Sequence, residues 1–104
     1  MITMNEKLYC EAMEGAKPVL IEYWAPWCIY CRRIAPAMKH LADRREDLLV
    51  GQVNIDDHPE LAGREQIEVI PTLVLYQGGE ALGSIVAPES RSRIEEFLAD
   101  HLES

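Results

Sequence analysis

Cys28 and Cys31 stand three positions apart in "WAPWCIYCRRIAP", which runs from Trp24 to Pro36 and includes two tryptophans and two prolines. Thiols at this spacing can clip a metal, staple a loop or exchange electrons with another disulfide. A mononuclear metal needs four ligands. The chain has no second Cys-x-x-C, and its histidines, His40, His58 and His101, are scattered. No metal is therefore expected. A [2Fe–2S] cluster shared between two chains would find four thiolates, although nothing else in the sequence calls for one. A permanent staple is unusual in a reducing compartment.

The elements that must hold this pair follow from patterning. A chain of 104 residues, 48% of them hydrophobic, can bury one core, and a single domain over 1–104 is expected. "PVLIEYWA" is an apolar run broken by one carboxylate, Glu22, as in a strand buried on both faces. "LLVGQVNID" and "PTLVLYQ" read the same way, and "QGGE" turns the last of these into "ALGSIVA" as a hairpin. Ile34, Met38 and Leu41 repeat at helical spacing after Cys31, a shorter helical segment follows Pro59, and Ile94, Phe97, Leu98 and Leu102 line a closing helix. Thr3 and Glu6 read as a capping box for a first helix from about Met4 to Glu14. Cys10 on that helix reads as a small packing residue, or else as a regulatory or dimer-forming thiol. The predicted order is αβαβαββα, an α/β chain with a mixed sheet of four strands and helices on both faces.

Cys28 then falls between a buried strand and the start of a helix. Unpaired N–H groups and the positive end of the helix dipole favour a thiolate there, lowering its pKa toward about 3.5–7.5. Cys28 is the expected nucleophile. Cys31, one turn on and deeper, can attack a mixed disulfide from within. Eighteen acidic against ten basic residues give a net charge of -8, which repels nucleic acid and anionic membranes. The N-terminus lacks a basic start followed by an apolar run, so a cytoplasmic location is expected.

From Val19 to Leu102 the chain resembles the thioredoxin family. "WAPWC", Pro36 five residues after Cys31, "VNID", "IPTL" at Pro71, the "GGE" turn and "IEEFL" together carry the resemblance. It implies a thioredoxin fold, Cys28 as attacking thiol and Cys31 as resolving thiol. It also implies Pro71 as a cis proline facing the pair, with Trp27, Ile70, Val86 and Ala87 lining one substrate groove. The activity implied is protein-disulfide exchange through a redox-active disulfide, with no other cofactor. The electron donor would be of the thioredoxin-reductase or glutathione-linked kind. A binding module using the Pro71 groove without turnover is the rival reading.

The sequence departs from the family pattern at four places. Ile29 and Tyr30 replace the usual Gly-Pro, and Tyr30 supplies a backbone N–H that proline lacks. That donor would stabilise the Cys28 thiolate and place the potential at about -250 to -180 mV. Glu22 takes the place of a buried aspartate without a lysine partner, Gln52 standing at the matching position. It is expected to relay the Cys31 proton with a pKa above about 4.3. Ala87 stands for a glycine. The family's first strand is truncated or absent, so "LLVGQVNID" is expected at or near an exposed sheet edge, giving a monomer or a weak dimer.

Overall fold

A computed structural model describes residues 1–102 of the chain. The elements in order are β1 (Ile2–Thr3), α1 (Glu6–Glu14), β2 (Val19–Trp24), α2 (Ile29–Arg44), β3 (Leu49–Asn54), α3 (Pro59–Arg64), β4 (Thr72–Gln77), β5 (Glu80–Val86) and α4 (Arg91–Leu102). The sheet has five strands in the order β1-β3-β2-β4-β5. Strands β1, β3 and β2 are parallel, β4 runs antiparallel to β2, and β5 closes the hairpin with β4. This is the mixed α/β architecture expected for the thioredoxin fold, with one strand more than expected.

The extra strand corrects the expectation of four. Ile2 pairs with Gly51 and Thr3 with Gln52, and the Met4 N–H continues the ladder to the Gln52 carbonyl at 2.9 Å. The fifth strand overturns a bare edge at "LLVGQVNID": β1 covers β3 at Gly51 and Gln52, leaving β3 one strand in from the edge. Two residues are too few to show a period, and what makes them a strand is the unpaired edge of β3. Gly51 is what lets the chain turn back so closely. A Cβ built there would come within 2.6 Å of the Met4 side chain, and Met4 is buried.

Thr3, committed to β1, does not cap α1. That role falls to Asn5, whose Oδ1 accepts the Leu8 N–H at 2.8 Å. Cys10 is exposed on α1 and so is not a packing residue. Gly78 and Gly79 form the β4–β5 turn with φ of 62° and 82°, the left-handed conformations a two-residue hairpin loop requires.

Alternation along the strands splits the interior into two layers. Val19, Ile21 and Tyr23 of β2 point to one face, where they meet Tyr9 and Ala12 of α1 and Leu61 and Ala62 of α3. Leu20 points to the other, against Ile34, Met38 and Leu41 of α2 and Ile94, Phe97 and Leu98 of α4. Helix α2 continues through Pro36, which is exposed. The ring leaves the Arg32 carbonyl without an amide on its outer side.

Candidate active site

The site forms where β2 ends and α2 begins, at the carboxyl end of the parallel strands, the usual place for function in an open α/β sheet. Cys28 is the N-cap of α2. It forms a disulfide with Cys31, their Cα atoms 5.3 Å apart. The Cys31 N–H donates to the Cys28 sulfur at 3.1 Å. No such bond comes from the Tyr30 N–H. In this disulfide form the Cys28 sulfur takes one amide, and the Tyr30 donor expected for the thiolate concerns the reduced form. Cys28 is 8% exposed and Cys31 2%, so Cys28 is the less buried of the two.

Ile70 and Pro71 face this sulfur. The Ile70–Pro71 bond is cis, and the Ile70 carbonyl oxygen lies 4.0 Å from Cys28 Sγ. The Pro71 carbonyl accepts the Ala87 N–H at 2.8 Å, and Val86 sits opposite Thr72 in the β4–β5 ladder. Trp27, Ile29 and Val86 are exposed apolar side chains, Trp27 65% so. Of the five groove residues named from resemblance, Ile70 faces the sulfur, Trp27 precedes it in the chain, and buried Pro71 is joined to Ala87 beside Val86. Val86 lines both a cleft of about 590 Å³ beside Ala87 and one of about 260 Å³.

Two contacts around the site were not legible in the residue pattern. Trp27 Nε1 donates to Asp56 Oδ2 at 2.9 Å, holding the exposed indole against the turn after β3. The only sequence signal for Asp56 is its place just beyond β3, at the same end of the sheet as Cys28. The Tyr30 hydroxyl donates to the Pro88 carbonyl at 3.4 Å, so the second residue between the cysteines reaches the loop that carries Ala87. Ala87 itself has φ of 44°, a left-handed conformation that glycine adopts without penalty and alanine does not.

Glu22 points to the α2 face of β2, between Gln52 of β3 and Leu73 of β4. It is 2% exposed. Burial pushes its pKa from the ordinary 4.5 up to about 7, because a charged carboxylate loses its hydration there. Gln52 gives no help, as its Nε2 turns outward to Thr3 Oγ1 at 3.2 Å. On the same face, Trp24 Nε1 is buried without a hydrogen-bond partner among the described residues. No three metal-ligating side chains converge among the described residues. No described helix is long and apolar enough to cross a membrane.

Comparison with known proteins agrees with this geometry. The thioredoxin family model matches residues 1–100. A thioredoxin of Alicyclobacillus acidocaldarius is 34% identical over 103 residues, covering 98% of both chains. Thioredoxin 1 of a Nostoc species is 34% identical over 93 residues, 88% of this chain and 87% of that one. A bifunctional thioredoxin reductase/thioredoxin of Mycobacterium leprae is 33% identical over 97 residues, 92% of this chain and 21% of that protein. With the match spanning nearly its whole length and two sulfurs at bonding distance on a helix N-terminus, the chain belongs to the thioredoxin family and is a protein-disulfide oxidoreductase.

Proposed function

We propose that the Cys28-Ile29-Tyr30-Cys31 segment is the redox centre and that Cys28 is its nucleophile. The observation that carries this reading is the 3.1 Å bond from the Cys31 N–H to the Cys28 sulfur at the N-cap of α2. The same amide and the helix dipole stabilise a thiolate when the disulfide is reduced. The thiolate attacks one sulfur of a substrate disulfide, a Cys28–substrate disulfide forms, and the other substrate sulfur leaves as a thiolate. Glu22 then takes the Cys31 proton, and the Cys31 thiolate attacks Cys28 Sγ. The Cys28–Cys31 bond forms, the mixed disulfide breaks, and the substrate leaves with two electrons. An acid whose pKa lies near neutrality suits this proton transfer. Trp27, Ile70, Pro71, Val86 and Ala87 hold the substrate chain against the sulfur.

Reductase and thioredoxin occur together in the name of the Mycobacterium leprae relative, which supports a reductase of that class as the electron donor. A cytoplasmic role in electron transport and redox homeostasis fits this chemistry. Reduction of insulin disulfides with a dithiol donor tests the reading. Turnover is expected from the parent and none from Cys28→Ser, whereas Cys31→Ser accumulates the mixed disulfide. Turnover by Cys28→Ser, or none by the parent, would overturn it.

A further inference from the structure

Charge is shared unevenly along this chain. The protein carries a net -8, yet α2 holds Arg32, Arg33, Lys39 and Arg44 against the single carboxylate Asp43. Four cations less one carboxylate give α2 a charge of +3, which leaves -11 for the rest of the chain. The arginines elsewhere are neutralised locally, Arg45 by Asp47, Arg64 by Glu6, Arg91 by Glu95 and Arg93 by Glu96, and the two lysines outside α2, Lys7 and Lys17, lie on separate segments. Arg32, Arg33, Lys39 and Arg44 are all exposed. None of them forms an ion pair among the described residues. The helix that carries the redox pair is thus a bare basic ridge on an acidic protein.

We propose that Arg32 and Lys39, one face of α2 at i, i+7 spacing, form a docking surface for acidic segments, rich in Asp and Glu, that flank the disulfide of a substrate protein. The proposal deepens the exchange reaction described above and rests on it. Distances along the helix fit. At about 1.5 Å of rise per residue, Arg32 starts about 6 Å from Cys28 along the axis and Lys39 about 16 Å. An extended peptide advances about 3.3 Å per residue. Side chains two to five positions from a substrate cysteine held at Cys28 therefore lie over the ridge. Arg32 and Lys39 also line one cleft of about 570 Å³ with Pro36 and Gln52, so their charges converge on a shared space. Arg44 is left out, because it stands at the far end of α2 next to Asp43. A short acidic segment fits this surface and a long polyanion does not, since nucleic acid would run off the ridge onto the strongly acidic remainder.

Arg32 and Arg33 could also act by stabilising the Cys28 thiolate, which would speed attack on every disulfide alike. Docking alone discriminates between substrates by their charge, and the ratio of two rates removes the shared chemical step. The test uses three disulfide peptides that differ only at positions two to five from one cysteine, which are filled with Asp and Glu, with Lys, or with Ser. The reduced protein is mixed with each and single-turnover kcat/KM is read. At low salt the acidic peptide is expected to react about tenfold faster than the basic one, against the net charge of the protein. The ratio is expected to approach one in 1 M salt, where the screening length shrinks to about 3 Å. Lys39→Glu and Arg32→Glu should each cut the ratio severalfold. Arg44→Glu changes net charge equally and should leave it within twofold of the parent. Equal rates for the acidic and basic peptides, a basic preference, or the same loss from Arg44→Glu would overturn the docking surface. Reduction of none of the three peptides would overturn the exchange reading, and the docking surface with it.

Discussion

Strand β2 sends polar groups into both layers of the interior, and the two layers treat them differently. On the α1/α3 face, the Tyr23 hydroxyl meets the Tyr76 hydroxyl at 2.6 Å, both side chains being buried. Burial pushes the pKa of each hydroxyl well up, so the pair stays neutral. Tyr9 packs edge-on against Tyr76 at 6.1 Å between ring centroids. On the α2/α4 face, one residue to either side, Glu22 is buried beside Gln52 and Leu73 with no ion pair, and the Trp24 indole N–H is without a partner, among the described residues. A buried polar group without a partner costs stability, and a paired one costs little. The layer under the redox helix therefore carries the unpaired groups, while the opposite layer is satisfied and anchors the sheet.

The largest effect that would break this contrast is at Glu22. Its pKa is raised from 4.5 to about 7 in the folded chain, so between those values the folded state holds more protons than the unfolded state. Stability is then full below about pH 4.5 and is lost as pH rises through about 7. A shift of this size corresponds to about 3 kcal/mol at the alkaline limit. Glu22→Gln should flatten the curve and make the chain more stable than the parent at pH 8, with little change at pH 4. If Glu22 is the proposed proton acceptor for Cys31, the variant should also release the mixed disulfide more slowly. Urea denaturation across pH 4–8 measures the first effect. A Glu22→Gln curve as steep as the parent's would show that another group titrates.

Glu22 also marks how much of the molecule was legible in its residues. A carboxylate inside "VLIEYWA" announces its own burial, because the run around it is too apolar to be anything but an interior strand. The cysteine spacing and the apolar stripe after Cys31 likewise placed the redox pair at a helix start. What stayed hidden depends on contacts between distant residues. Strand β1 is set by the open edge of β3. Asn5 displaced Thr3 as the cap because that ladder claimed Thr3. Asp56 meets Trp27, and Tyr30 reaches Pro88, through folding that brings together segments 29 and 58 residues apart. No local period records such meetings.

The satisfied face can be tested by unpairing it. Tyr76→Phe leaves the Tyr23 hydroxyl buried without its partner and should cost about 2 kcal/mol, as should Tyr23→Phe. The double variant should cost clearly less than the sum, because with both hydroxyls gone nothing is left unsatisfied. Shifts in urea midpoint at constant slope give these values. Strict additivity would mean that the hydroxyls do not depend on each other, and the contrast between the layers would lose one side.

Strain at the edge of the groove is a smaller term. Ala87 holds φ at 44°, where a Cβ crowds the carbonyl and costs roughly 1–2 kcal/mol. Ala87→Gly relieves this but gives the unfolded chain more freedom, so a net gain of about 1 kcal/mol is expected. Thermal denaturation reads it directly. A loss of stability on Ala87→Gly would place the methyl group in a packing role that outweighs the backbone term.

The smallest effect concerns the one long hydrogen bond that ties the redox turn to the groove wall. Tyr30 donates to the Pro88 carbonyl at 3.4 Å, and the next residue back, Ala87, donates its N–H to Pro71 at 2.8 Å. With Ile70 facing Cys28, these contacts run in a closed path around the sulfur: α2, Pro88, Ala87, Pro71, Ile70 and back to Cys28. Tyr30→Phe keeps the ring, which packs beside the α2/α4 layer, and removes only the hydroxyl. At 3.4 Å the bond is weak and partly wet, so stability should change by less than about 1 kcal/mol. Loosening the Ala87–Pro88 wall should instead weaken the hold on the substrate chain and raise KM about twofold, with kcat unchanged because neither sulfur nor Glu22 is touched. The opposite split, a lower kcat at constant KM, would mean that Tyr30 acts on the chemistry of the cysteines. The polar contacts on this side of the sheet would then tune the sulfur as well as frame it.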